Sequence, residues 1–291
     1  VQGVAIVLEQ AGYPLRGCEG IVHGTVPIGS GLSSSASLES AVATLFEQLG
    51  GFTLDLLEKA KLCQKAENTW VGVNCGILDQ YSSVLGEKGK ALLLDCRALT
   101  HEYAEFPHDL RVVICNTCAP RELSGSEYDD RRARCESGAD FFADLDSRFK
   151  TLRDVPLEFF VAHSAKMPGK VQRHSRFIIE ENARVFELAD ALRSDDRAAI
   201  ERITAASFSG ARDLFEISVP AMQAMYDAMH AAPGRVGCRQ AGAGFGGCMV
   251  ALVEMHQVDA FCSSVAECYH QATGITPEVY AIRAAAGAGL L

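Results

Sequence analysis

Apolar residues recur every three or four positions over much of the chain, which is the spacing of amphipathic helices. Gly12 and Gly50 follow two such stretches as stop signals, and Thr53 is positioned to cap a third. The pattern therefore predicts helices over 1–11, 38–49, 53–69, 124–142, 175–192, 195–206, 220–231 and 258–272.

Shorter apolar or alternating runs predict strands over 20–26, 91–94, 111–115, 236–241, 248–253 and 278–283. Residues 143–172 show no clean periodicity. The mixture of helices and strands, without an internal repeat or a linker, indicates an α+β protein. We place the domain boundary near 100–110, which gives a first domain over 1–105 and a second over 106–291.

The composition narrows the function classes. With 48% hydrophobic and 22% charged residues the chain is globular, and no apolar run is long enough to span a bilayer. A net charge of −10 argues against nucleic-acid binding. Eleven scattered cysteines indicate reduced thiols and a cytoplasmic location. Cys115 and Cys118 have C-x-x-C spacing, but two core thiols are a better interpretation than a metal or redox pair.

Pro27–Ala36 is the strongest local signal. Two glycines and a run of three consecutive serines stand directly before a predicted helix. Glycine lets the backbone approach a ligand, and the free amides of a helix N-terminus favour phosphate. The serine hydroxyls could add hydrogen bonds or bind magnesium. The alternative is an ordinary serine-rich helix cap, and the pattern fits neither a P-loop nor a Rossmann fingerprint.

Two further segments are candidates for chemistry. Gly242–Gly247 holds four glycines in six residues between apolar runs, which indicates a tight loop that approaches a ligand or a plain hairpin turn. Glu67 ends a predicted helix and Asp79 follows a glycine-containing turn. An acidic pair suits magnesium binding and proton abstraction, although surface carboxylates are the simpler interpretation of these two residues alone.

Taken together, these segments resemble the galactokinases of the GHMP small-molecule kinase superfamily. Pro27–Ala36 matches P-x-G-x-G-L-S-S-S-A, Gly242–Cys248 matches G-[GA]-G-F-G-G-C, and Cys75–Gln80 matches C-G-[IL]-[ML]-D-Q. Further similarities, in chain order, lie at Asp95–Leu99, Ser126–Arg132, Glu181–Asn182 and Arg212–Asp213. The resemblance covers essentially the whole chain.

The resemblance implies a two-lobed fold, with an S5-like N-terminal lobe, incomplete here, and a ferredoxin-like C-terminal lobe. It implies ATP-dependent phosphorylation of the anomeric hydroxyl of galactose by a cytoplasmic monomer that binds neither nucleic acid nor a membrane. Asp79 would be the base, or the charge that orients the sugar hydroxyl, and Ser35 and Glu67 would hold Mg²⁺. Gly76 and Tyr128 would contact the sugar together with Asp79. The residues implied to hold ATP are Gly29, Ser30, Gly31, Leu32, Ser33, Ser34, Ser35, Gly244, Gly246 and Gly247.

The chain also departs from the family pattern. The first motif, G-R-x-N-x-I-G-E-H-T-D-Y, is absent from the 291 residues, so we expect a fragment with little activity of its own. Phe177 and Phe208 stand where many members have histidine, Gly210–Ala211 replaces Ser-Leu, and Gln240–Ala241 replaces Met-Thr. Three alternatives stay open: a related kinase for N-acetylgalactosamine or another sugar, a non-catalytic sensor of sugar and ATP, and an inactive remnant.

Overall fold

The computed structural model describes residues 1–120, 125–242 and 244–290. The chain forms two compact units, Val1–Phe106 together with Arg283–Leu291, and Pro107–Ile282. The sequence-based division assigned the C-terminal tail to the second domain, whereas in the structure it packs with the first unit. Backbone hydrogen bonds hold it there: Gly287 N donates to Gly86 O at 2.8 Å and Ala288 N to Ser83 O at 2.8 Å.

The described residues of the first unit form four α-helices, a π-helical turn and a hairpin. Its elements are α1 (Gln2–Gln10), α2 (Ser34–Gly50), α3 (Leu56–Ala66), α4 (Leu78–Leu85), β1 (Lys90–Asp95) and β2 (Thr100–Glu105). Asp55, not Thr53 as predicted, caps α3, because its carboxylate accepts hydrogen bonds from the amides of Leu57 and Glu58. A π-helical turn over Glu67–Val71 continues α3.

A buried ion pair joins α2 to α3. Lys59 Nζ lies 2.5 Å from Glu47 Oε2, and both side chains are only 5% exposed. The other Glu47 oxygen accepts the backbone amide of Leu54 at 2.7 Å, and Lys59 also donates to Thr44 Oγ1 at 3.2 Å. Since each charge has further hydrogen-bond partners, the pair satisfies the conditions under which a buried salt bridge is tolerated.

The strand predicted over 20–26 is wrong, because these residues form an extended segment without strand pairing. The side chains of Ile21 and Val22 are 98% and 69% exposed. A strand requires a hydrogen-bonded neighbour, and among the described residues of this unit β1 and β2 pair with each other. The sequence analysis missed β2, because its alternating polar residues lie on an exposed hairpin.

The second unit is built on an antiparallel sheet of four strands in the order β4-β5-β3-β6. The strands are β3 (Leu110–Asn116), β4 (Arg235–Gln240), β5 (Cys248–Glu254) and β6 (Glu278–Ile282), and the helices are α5 (Gly125–Leu145), α6 (Leu157–His163), α7 (Gly169–Arg193), α8 (Arg197–Asp213), α9 (Pro220–Ala231) and α10 (Val258–Thr273). This strand order is that of a ferredoxin-like fold. The α+β prediction is confirmed.

The core of the second unit lies between the sheet and its helices, where Met225 and Phe261 pack against Val113 and Cys115. Burial raises the pKa of the Cys115 thiol far above its ordinary value. Cys118 is exposed, so the prediction of two core thiols holds for Cys115 alone. None of the described helices combines the length and the apolarity needed to cross a membrane.

Candidate functional site

The glycine- and serine-rich loop leads into α2 through a series of left-handed residues. Gly29 and Gly31 have φ of +74° and +83°, and Ser33, the N-cap of α2, has φ of +61°. Ser30 Oγ closes the turn by donating to Pro27 O at 2.9 Å. Glycine is favoured at the first two positions because other residues rarely adopt this conformation.

The amides at the start of α2 receive no capping hydrogen bond from the Ser33 side chain. Among the described residues, the first turn of α2 also carries no acidic residue. The simple alternative, a serine cap at Ser33, is therefore not formed. Leu32 and Ser34 are half-buried, whereas Ser35 is exposed. A helix N-terminus of this kind, with its partial positive charge, suits a phosphate group.

Two buried carboxylates lie beside each other in the same unit, joined by one amide. Glu67 begins the π-helical turn, and Glu39 lies on α2. Gln80 on α4 is fully buried, and its Nε2 donates to Glu67 Oε2 at 2.5 Å and to Glu39 Oε2 at 3.1 Å. Both hydrogens of this amide are thus used, and three helical segments meet at one polar cluster.

Burial dominates the electrostatics of the cluster. It raises the pKa of Glu39 to about 7, and the charge of Glu67 acts in the same direction, against the hydrogen bond from Gln80. Burial, followed by the Glu67 carboxylate, raises the pKa of Cys75 to about 11, so this thiol keeps its proton at neutral pH. Cys75 Sγ lies 3.5 Å from Glu67 Oε2 and can donate to it.

The donor atoms of this region fit a magnesium ion. Ser35 precedes Glu39 by one helical turn, so the two share a face of α2, and Glu39 is linked to Glu67 through Gln80. Hydroxyl and carboxylate oxygens are the ligands that Mg²⁺ prefers, and it commonly uses one or two carboxylates together with substrate phosphates. No group of three His, Cys, Asp or Glu residues suited to a metal occurs among the described residues, so the assignment of Mg²⁺ to Ser35 and Glu67 stays a prediction.

Asp79 lies in the first turn of α4, directly before Gln80. Its side chain is exposed, while that of Gln80 points into the cluster. The fixed contacts of Gln80 therefore hold the turn that presents Asp79. Gly76 is exposed just before α4, and a Cβ placed on it would meet nothing within 4 Å. The side chain of Tyr128 lies outside the described part of the structure.

The second glycine loop connects β4 to β5, an antiparallel pair, so it is a hairpin connection. Gly244 has φ of +84°, and a Cβ on it would lie 2.6 Å from Ile217 O. Gly246 and Gly247 also have positive φ, and Gly246 N lies 3.1 Å from Met222 Sδ. Ala243 lies outside the described residues. Packing within the second unit already requires glycine at 244, and the predicted nucleotide contacts of the loop stay a prediction.

Sequence reasoning missed the roles of Glu39 and Gln80 in this cluster. Gln80 was part of a quoted motif, but nothing in the motif indicated its partners. The burial of Glu39 could have been predicted from the sequence. It lies on the same face of α2 as the buried residues Ala36, Ser40 and Val42, so an acidic residue faces the protein interior. A carboxylate at such a position is rarely left without a buried partner.

Three of the departures from the family pattern, Phe177, Gly210 and Ala211, lie together in one buried region. A Cβ on Gly210 would lie 3.0 Å from Phe177 Cδ2, and Ala211 belongs to the same buried cluster as Phe177. The ring of Phe208 stacks on Tyr226 with centroids 3.8 Å apart. The small residues Gly210 and Ala211 therefore leave space for the ring of Phe177, so these substitutions are compatible with a well-packed core.

Comparisons with known proteins agree with this description. Residues 1–87 match the model of the GHMP kinases N terminal domain. The structure is similar to that of Lactococcus lactis galactokinase complexed with galactose, with 31% identity over 98% of this chain and 74% of that chain and a TM-score of 0.87.

More distant similarities concern the fold alone. L. major mevalonate kinase in complex with R-mevalonate is 14% identical, over 99% of this chain and 76% of that chain, with a TM-score of 0.59. Streptococcus pneumoniae phosphomevalonate kinase in complex with phosphomevalonate and AMPPNP is 13% identical, over 86% and 68%, with a TM-score of 0.55. The α+β arrangement is thus that of the two-lobed GHMP kinases.

Proposed function

Because the chain belongs to the galactokinase family of the GHMP kinases, we propose that it transfers the γ-phosphoryl group of ATP to the anomeric hydroxyl of galactose. The observation that carries this proposal is the arrangement around Gln80, which holds Glu67 buried and presents the neighbouring Asp79 to solvent. The 31% identical relative with galactose bound supports this sugar as the substrate.

To catalyse phosphoryl transfer, a protein mainly has to position the reacting groups and neutralise the charge on the phosphate oxygens. In our proposal the loop Gly29–Ser35 and the α2 amides bind the ATP phosphates, with Gly244, Gly246 and Gly247 contributing further nucleotide contacts. Ser35 and Glu67 would hold Mg²⁺, which when bound neutralises charge on the phosphate oxygens.

The remaining residues act on the sugar. Gly76 and Tyr128 would contact galactose and orient its C1 hydroxyl toward Asp79. The Asp79 carboxylate would take the proton of that hydroxyl or hold it in the orientation for attack. The eleven cysteines scattered along the chain support a reducing, cytoplasmic location. We propose a monomer that works on small molecules without nucleic acid or a membrane.

The test is the substitution Asp79→Asn, with Asp144→Asn on an exposed position of α5 as the matched control. A chain without the first motif is expected to turn over slowly, so we would measure single turnovers with γ-labelled ATP and identify the labelled sugar. Asp79→Asn should lower the rate about 10²–10⁴-fold and leave ATP affinity unchanged.

Two results would contradict the proposal. An Asp79→Asn rate within a few-fold of the unmodified chain would remove Asp79 from the reaction. If N-acetylgalactosamine is labelled in preference to galactose, the kinase activity would be supported but galactose would be the wrong substrate.

A further inference from the structure

Two residues with a Cβ adopt the left-handed backbone conformation where the second glycine loop contacts the turn over 215–217, which follows α8. Glu216 in the turn has φ of +58°, and Phe245 in the loop has φ of +59°. This conformation is unfavourable for such residues and persists where surrounding contacts impose it. The two segments are joined, since Phe245 N donates to Ile217 O at 2.7 Å. Contacts with the rest of the second unit must therefore hold the turn and the loop together.

Arg131 on α5 contacts both segments. Its Nε donates to Phe215 O at 3.0 Å and its Nη2 donates to Glu216 O at 2.9 Å. The central carbon of the guanidinium group lies 5.4 Å from the centroid of the Phe245 ring, which is within the range of a cation–π contact. One rigid, planar group thus contacts two carbonyl oxygens of the turn and the aromatic ring of the loop.

The glycine loop depends on the turn for its position. The side chains of Phe245 and Ile217 are buried in the same hydrophobic cluster. Gly244 packs so closely on the turn that a Cβ on it would lie 2.6 Å from Ile217 O. A displacement of the 215–217 turn would therefore displace the loop, and Arg131 is the side chain that joins the turn to α5.

We propose that Arg131 is a positioning residue, which holds the second glycine loop in the conformation that contacts the nucleotide. It acts through the 215–217 turn and through the ring of Phe245, and makes no contact with ATP itself. The inference rests on the proposed function, in which the glycines of this loop contact ATP. It also gives a role to a second residue of the Ser126–Arg132 similarity, of which the proposed reaction uses only Tyr128.

The first experiment measures the loop itself, by amide hydrogen exchange of the whole chain without ligands. Arg131→Met removes the guanidinium group, and Arg131→Lys keeps the charge but not the planar fork. Arg176→Met is the matched control, because Arg176 is exposed on α7 and pairs with Glu180 of the same helix. The Phe245 amide should exchange at least tenfold faster in both Arg131 variants and within twofold of the unmodified chain in the control. The amides of β3, in the core of the same unit, should be accelerated much less.

The second experiment measures single turnovers at increasing ATP concentration. Both Arg131 variants should raise the half-saturating ATP concentration at least tenfold and leave the limiting rate within threefold, because they weaken nucleotide binding and leave the reacting groups in place. Asp79→Asn should show the opposite split, with a lower limiting rate and an unchanged half-saturating concentration. Arg176→Met should change neither quantity.

Three results would overturn the role of Arg131. They are exchange of the Phe245 amide within twofold of the unmodified chain in both variants, acceleration of the β3 amides by the same factor as Phe245, and an unchanged half-saturating ATP concentration. An unmodified chain without any turnover would instead contradict the proposed function, whereas the exchange of Phe245 would still decide whether Arg131 holds the loop.

Discussion

The carboxyl of Glu39 should make the stability of the first unit depend on pH. Burial raises its pKa from 4.5 to about 7 in the folded protein, whereas in the unfolded chain it titrates near 4.5. The folded state therefore holds this proton more tightly between these values. The stabilisation is fully present below pH 4.5 and is lost as the pH rises through 7, and it amounts to roughly 3 kcal/mol at about 1.4 kcal/mol per pH unit.

Glu39→Gln removes the titration and keeps an acceptor for Gln80 Nε2. We expect the free energy of unfolding of the variant, relative to the unmodified chain, to be roughly 3 kcal/mol greater at pH 8 than at pH 4.5. The comparison with the unmodified chain is needed because burial lowers the pKa of His174 to about 4. That imidazole destabilises the fold as the pH falls below 6.5, but equally in both proteins, so its effect cancels.

The assay is urea denaturation followed by circular dichroism at several pH values from 4.5 to 8, without divalent cations. Glu9→Gln on the exposed side of α1 is the control, and its difference from the unmodified chain should not vary in the same way. A Glu39→Gln difference that is the same at both ends of the pH range would refute the reasoning. It would mean that the carboxyl is solvated and does not share Gln80 with Glu67.

Two further substitutions test the packing. Lys59→Met should lower the free energy of unfolding by about 3–5 kcal/mol, because it leaves the Glu47 carboxylate charged and buried without its partner. Adding Glu47→Gln to this variant should restore much of the lost stability. If urea denaturation shows instead that the two substitutions lower the stability additively, the two side chains do not form a buried ion pair. Gly244→Ala should lower the free energy of unfolding by about 1–3 kcal/mol more than Gly274→Ala. Both glycines have positive φ, but only at Gly244 would the added Cβ approach Ile217. Equal shifts in Tm for the two variants would exclude this contact.

Local signals predicted the α-helices of the chain except α4, α6 and some terminal turns, such as the first turns of α7. Of these, α6 and the start of α7 lie in the 143–172 segment without clean periodicity. The signals that succeeded lie in the helices themselves or directly beside them. Gly51 adopts the left-handed conformation at the end of α2, and the glycine and serine residues before that helix form the turn that their composition indicated. The predicted strand at 20–26 failed for a complementary reason. A strand depends on a partner elsewhere in the chain, and alternation of side chains cannot supply one.

The candidate site was predictable only in part. Glu67 and Asp79 were found through the motif, but the pairing of Glu39 with Gln80 joins residues 41 positions apart. Such a contact depends on how α2 packs against α4, which no local pattern encodes.

The return of the tail 283–291 to the first unit has a consequence for the order of folding during synthesis. The second unit is continuous in sequence, so all of its residues leave the ribosome before the first unit has received its last segment. That segment hydrogen-bonds to Ser83 and Gly86, at the end of the helix that carries Asp79 and Gln80. The C-terminal end of the helix that carries Asp79 and Gln80 therefore gains these two hydrogen bonds only after residues 283–288 have been made.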